Sequence, residues 1–204
     1  MDAKLKQSLE VVAQVYDQRK VADDIGALGF WRSSDLKTLL LCLETLEAKG
    51  LLGPDSIFLD MGCGDGRVNV LMSYFVKISV GIEFDEWTLD DYLPLRQELE
   101  RMLESRGLLL PPSNIYLFYG NSYEEKVYQE IYDKVGLRFE DFDIFYTYLV
   151  GLEEFSCLIA AKAKPGAIFM CYGLNKIMPR YEGLTLLDTI SPLEGILAIY
   201  KKEK

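Results

Sequence analysis

From Ser56 to Gly173 the chain alternates short apolar runs with helix-like stretches, and few folds accept that order. The runs are SIFLD (56–60), ISVGIE (78–83), NIYLFYG (114–120), FDIFYTYL (142–149) and AIFMCYG (167–173). Each is apolar without strict alternation, the mark of a strand buried on both faces. The intervening stretches, GRVNVLMSYFV, LPLRQELERMLESRG, SYEEKVYQEIYDKVG and LEEFSCLIAAKAKPG, keep helical spacing. Together they predict an α/β fold, a mostly parallel sheet with helices on both faces. Two last runs, GLTLLDTI and GILAIYK, are split by SPLE and predict a closing antiparallel hairpin, for seven strands.

Two details sharpen the helices. Pro94 suits a first turn and would kink a helix begun at Glu86. Ser122 can cap the helix that follows the third strand. Ahead of the sheet, residues 3–22 place Leu5, Leu9, Val12 and Tyr16 at helical spacing, and DLKTLLLCLETLEAKG forms a second helix, capped by Ser33 or Ser34 and stopped by Gly50. The expected organisation is an N-terminal helical cap over 1–52 and a ligand-binding domain over 53–204. The link GFWRSS (29–34) is either a lid over the site or, through Phe30 and Trp31, a dock for the helices.

The absence of histidine narrows the chemistry. It removes Ser-His-Asp and Cys-His catalysis and the His-based zinc sites. Four cysteines without a C-x-x-C pair argue against a zinc site or a disulfide framework and suit a reducing cytoplasm. A net charge of −10 makes nucleic acid an unfavoured partner, since such a surface repels phosphate. No apolar run approaches the ~18 residues of a membrane span, and no metal is implied.

The first predicted strand ends in LDMGCGDGR, with Gly62, Gly64 and Gly66 at alternate positions behind Asp60. In open α/β sheets ligands sit beyond the carboxyl ends of the strands, where strand order switches, and glycine lets backbone approach them closely. The dinucleotide spacing G-x-G-x-x-G would put its third glycine at 67, where this chain has Arg67. Glu83 ends the second strand, and a carboxylate there can accept both hydroxyls of a ribose. A nucleoside is implied, without provision for a pyrophosphate. Cys63, with no base beside it, reads as a small apolar filler.

LDMGCGDGR, VGIEFD, LFYGNSYE, DIFYTYL and KPGAIFMCYG, in this order over about residues 55–175, resemble the motif series of class I S-adenosylmethionine-dependent methyltransferases. More distantly, GCGDGR with the strand-four YxYL resembles small protein-lysine methyltransferases related to the non-SET histone lysine enzymes. The resemblance implies a Rossmann-like sheet and S-adenosylmethionine as cofactor. It places Asp60, Gly62, Cys63, Gly64 and Gly66 around the methionine portion, Glu83 on the ribose and Phe84 against the adenine. Asn121, with Ser122 beside it, would read the adenine amino group. Tyr146, Thr147 and Tyr148 would face the methyl acceptor; by alternation the two tyrosines share a face opposite Thr147. FYTYL stands where many base-methylating enzymes carry a Pro-Pro pair, so the acceptor is expected to be a protein side chain, lysine included, or a small molecule. Two rivals remain: a non-catalytic nucleoside-binding module, and a nicotinamide-dependent oxidoreductase, which Arg67 disfavours.

Overall fold

The computed structural model describes residues 1–19, 25–26, 29–30, 34–149, 151–173, 179–187 and 197–204. Helices α1 (Ala3–Gln18) and α2 (Leu36–Ala48) precede the sheet, with a two-residue ladder between them, β1 (Ile25–Gly26) against β2 (Gly29–Phe30). The side chains of Phe30, Trp31 and Arg32 lie outside the described residues. Then follow β3 (Ile57–Met61), α3 (Arg67–Met72), β4 (Ile78–Glu83), α4 (Glu86–Asp90), α5 (Tyr92–Ser105), β5 (Ile115–Tyr119), α6 (Glu125–Val135) and a 3₁₀ turn at Phe139–Asp141. The chain ends with β6 (Ile144–Tyr148), α7 (Leu152–Lys162), β7 (Ile168–Tyr172), β8 (Leu184–Leu186) and β9 (Leu197–Lys202).

Seven strands form one sheet in the order β5-β4-β3-β6-β7-β9-β8. The first five are parallel, and β9 inserts antiparallel between β7 and β8. The parallel sheet and its closing antiparallel pair are as expected from the apolar runs. Strand order reverses at β3, which has β4 on one side and β6 on the other, and beyond the carboxyl ends of such strands open α/β sheets hold their ligands.

Alternation along the strands builds two cores. Phe58, Ile144, Tyr146, Ile168, Met170, Tyr172 and Ile199 pack beneath α1, α2, α3 and α5. Leu59, Met61, Val80, Ile82, Phe145 and Phe169 pack beneath α6, α7 and the 3₁₀ turn. Helices α1 and α2 bury Leu9, Val12, Tyr16, Leu36, Leu39, Leu43 and Leu46 in the first of these. At about 1.5–3 kcal/mol per large apolar side chain, such burial ties the N-terminal helices to the sheet face.

Several local expectations need correction. The cap of α2 is Asp35, whose Oδ1 accepts the Thr38 N–H at 2.7 Å; Asp17 of α1 accepts the Leu36 and Lys37 N–H groups, and Ser34 is turned elsewhere. A carboxylate bears the positive helix end better than a hydroxyl does. Helix α6 starts after Glu124, so Ser122 is not its cap. The stretch from Glu86 to Ser105 breaks at Asp91, letting Pro94 fall in the first turn of α5. Residues 188–196 of the predicted hairpin lie outside the described residues. Among the described residues no helix is long and apolar enough to cross a membrane.

Candidate functional site

The turn from β3 into α3 is held by backbone hydrogen bonds. The N–H groups of Gly62 and Cys63 both donate to the Ile82 carbonyl, each at 2.9 Å, and Gly66 donates to the Cys63 carbonyl at 2.9 Å. Two of the glycines are required for different reasons. At Gly66 (φ +74°) a Cβ would stand 2.8 Å from the Tyr92 ring and 2.9 Å from Leu117, so packing excludes one. At Gly62 (φ +108°) a Cβ would meet nothing within 4 Å: the backbone there borders open space.

Glu83, at the end of β4, reaches across to this turn. Its Oε2 accepts the Gly64 N–H at 2.7 Å and its Oε1 the Asp85 N–H at 2.9 Å. Asp60 sits at the end of β3, 1 % exposed, with Oδ1 buried and unpartnered. Burial, then Glu83 and Asp65, raise its carboxyl well above the usual carboxylate range. The Cys63 thiol is raised too, by burial and by Asp60, so it stays protonated as expected of a filler.

A second set of charges braces the turn from behind. Asp65, fully buried, takes a two-pronged hydrogen bond from Arg67, at 3.0 Å from Nε and 2.8 Å from Nη2. The Arg67 guanidinium lies 5.7 Å from the Tyr16 ring centre. Arg19, at the end of α1, joins Asp65 at 3.2 Å and Asp91 at 2.6 Å. The N-terminal helix is thereby fastened to the glycine turn. The sequence did not single out Asp65 or Arg67 as a pair; their i, i+2 spacing is the signal that could have done so.

Beyond β4 and β5 lies a hollow of about 140 Å³ lined by Phe84, Tyr119, Asn121, Glu124, Val127 and Glu130. Phe84 and Tyr119, both about half exposed, are among its lining residues. Asn121 lines this hollow but is also engaged locally: Oδ1 accepts the Tyr123 N–H at 3.0 Å, and Nδ2 lies 3.4 Å from Glu124. Ser122 is buried, and its carbonyl accepts the Tyr128 hydroxyl.

The three residues at the end of β6 have different surroundings. Tyr146, beside Asp60 in the ladder, is buried and hydrogen-bonded to Ser34 Oγ at 2.5 Å. Thr147 is buried on the other face, its hydroxyl donating to the Met61 carbonyl at 3.1 Å. Tyr148 is half-buried, its ring 5.4 Å from that of Tyr172. Tyr172, which sequence reasoning missed, accepts the Asp35 N–H, and burial pushes its hydroxyl up to about 12. Leu149 follows with φ +50°, the one non-glycine residue of positive φ among those described. Among the described residues no three His, Cys, Asp or Glu side chains converge as a metal-binding group.

No protein-family model matches the chain, and neither does any curated protein. Solved structures do. A tRNA (m1A58) methyltransferase, TrmI, from Aquifex aeolicus superposes with a TM-score of 0.53 at 12% identity, covering 96% of this chain and 76% of that one. A precorrin-6y C5,15-methyltransferase from Geobacter metallireducens gives 0.53 at 13% identity, covering 89% and 96%. The putative methyltransferase yhhF from Escherichia coli gives 0.51 at 15%, covering 82% and 85%. At these identities the likeness establishes the fold alone, a Rossmann-like α/β sheet.

Proposed function

We propose that the chain is an S-adenosylmethionine-dependent methyltransferase acting on a protein side chain, lysine included, or on a small-molecule acceptor. The observation that carries this reading is the hydrogen bond from Gly64 to Glu83, which brings the glycine turn and the acid that ends β4 together where strand order switches. The residues fit such a cofactor. Asp60 has a buried oxygen without a hydrogen-bond partner, Gly62 borders open space, and the aromatic Phe84 lines the adjoining hollow. Glu83 accepts two backbone N–H groups and keeps about half of its roughly four lone-pair positions for hydroxyls. Three solved structures of the same fold carry methyltransferase names, which supports the reaction class.

When bound there, S-adenosylmethionine supplies an electrophilic methyl on a sulfonium, whose displacement leaves a neutral thioether and needs no acid. That suits a chain without histidine. What the protein then contributes is alignment and exclusion of water. Tyr146 and Tyr172 remain protonated at neutral pH, since burial raises both hydroxyls. They act as hydrogen-bond partners and walls rather than as bases. Tyr148, with its part-exposed ring beside that of Tyr172, is the β6 residue we assign to the acceptor, and Tyr146 is held beside it in the strand by its hydrogen bond to Ser34.

A second reading, a binding module without turnover, is favoured by one observation: Tyr146, Thr147 and Tyr172 are all buried and engaged at the mouth. Incubation with methyl-labelled cofactor and a panel of lysine peptides, small amines and RNA separates the readings. Label transferred to peptide or amine is expected. Label on RNA alone would move the acceptor class, and tight binding without transfer would favour the module.

A further inference from the structure

Helix α4, which follows Glu83, has an unpartnered face: none of its side chains is buried. Trp87, its second residue, is 85 % exposed, the most of any large apolar side chain among the described residues, and Leu93 just beyond is 64 % exposed. An indole left in water forgoes a large burial gain, and beside a candidate site it marks contact with a partner. The segment FDEWTLDD (84–91) around it holds four acids and no base. Two of them are occupied. Asp85 accepts the Trp87 N–H and the Thr88 hydroxyl, each at 3.1 Å, and Asp91 pairs with Arg19. The other two, Glu86 and Asp90, are exposed and, among the described residues, in no ion pair. They stand one helical turn apart with Trp87 between them in sequence, a spacing at which like charges repel.

We propose that this face of α4 docks a basic segment of the acceptor protein, one arginine or lysine lying over the Trp87 indole with its charge between Glu86 and Asp90. This rests on the methyltransferase reading with a protein acceptor and supplies the partner chemistry that reading leaves open. A cation meets an indole face favourably, and here it also relieves the repulsion between the two carboxylates. Other occupants fit the charge badly. A second copy of this chain brings a net charge of −10, and nucleic acid or an anionic lipid surface brings phosphate. The contact is a docking one, since Tyr148 ends β6 while α4 follows β4, with β3 between them. Strand spacing sets those two ends roughly 10 Å apart. At least about three extended residues therefore separate the docked cation from the methylated side chain.

The test is an anisotropy titration of the full chain, without cofactor, against a dye-labelled peptide alternating arginine or lysine with glycine or serine. Binding that weakens with added salt is expected. Trp87→Ala is expected to weaken it about two- to fivefold, and Trp87→Phe less. Glu86→Gln with Asp90→Asn is expected to weaken it and to flatten its salt dependence. The control is Glu47→Gln with Glu140→Gln, two exposed acids outside the segment, which should leave binding unchanged. An equal loss in that control shows diffuse attraction to an acidic surface and overturns the proposal, as does full affinity in Trp87→Ala or no binding by the unaltered chain. Methyl transfer to the same peptide reads the enzyme separately. Trp87→Ala should raise its KM with kcat unchanged. A KM that does not move overturns the docking site and leaves the methyltransferase reading intact. Trp87-dependent binding without transfer supports the docking site and counts against the protein-acceptor reading alone.

Discussion

Glu83 Oε2 and the Gly64 amide are 2.7 Å apart, so the end of the second parallel strand is hydrogen-bonded to the turn that follows the first. One carboxylate both shapes the loop and borders the crevice. A hydrogen bond to a charged group is worth about 1.5–3 kcal/mol. Glu83→Ala is therefore expected to lower stability by that order and cofactor affinity by about 10–100-fold. Chemical denaturation and ligand titration on the same variant check the two effects separately.

Gly66 and Gly62 make opposite demands. Gly66→Ala puts a methyl 2.8 Å from the Tyr92 ring at positive φ, and a loss of about 2–4 kcal/mol is expected in urea unfolding. Gly62→Ala meets open space, so only the backbone term of about 1–2 kcal/mol applies to stability. Its larger effect falls on ligand binding, because the methyl enters the space the ligand needs.

Asp65→Asn strips Arg67 of its two-pronged partner inside the protein. Breaking a buried ion pair from one side costs about 3–5 kcal/mol. The same change frees Arg19 from the turn, so proteolysis near the end of α1 should quicken alongside the fall in unfolding midpoint.

The pH dependence of stability follows from Asp60. Its carboxyl titrates higher folded than unfolded, so the native state holds the extra proton between the two pKa values. Its contribution is fully present below the unfolded value of about 3.9 and is lost as pH rises through the folded one. Asp60→Asn removes that loss. Melting temperatures across this range should show the variant gaining on the unaltered chain as pH rises, even while it loses ligand affinity.

The sheet was legible because strands buried on both faces read as uninterrupted apolar runs, SIFLD and AIFMCYG most plainly. The glycine turn was legible because three glycines behind Asp60 have few other uses. Hydrogen-bond partners were not. That Ser34 serves Tyr146 depends on where α2 docks, a contact 112 residues apart in sequence; with Ser34 so engaged, Asp35 caps the helix through Thr38. Asn121 shows the same limit, since its side chain completes a local turn that the motif alone does not reveal. Arg19 reaching Asp65 likewise needs the fold before it can be seen.

Isothermal titration of the full chain with S-adenosylhomocysteine shows whether the glycine turn and Glu83 together hold the cofactor. One ligand per chain, with a dissociation constant in the micromolar range and a loss of at least about tenfold in Glu83→Ala, is the expected result. Absence of heat up to millimolar ligand, or binding indifferent to Glu83, would contradict the account.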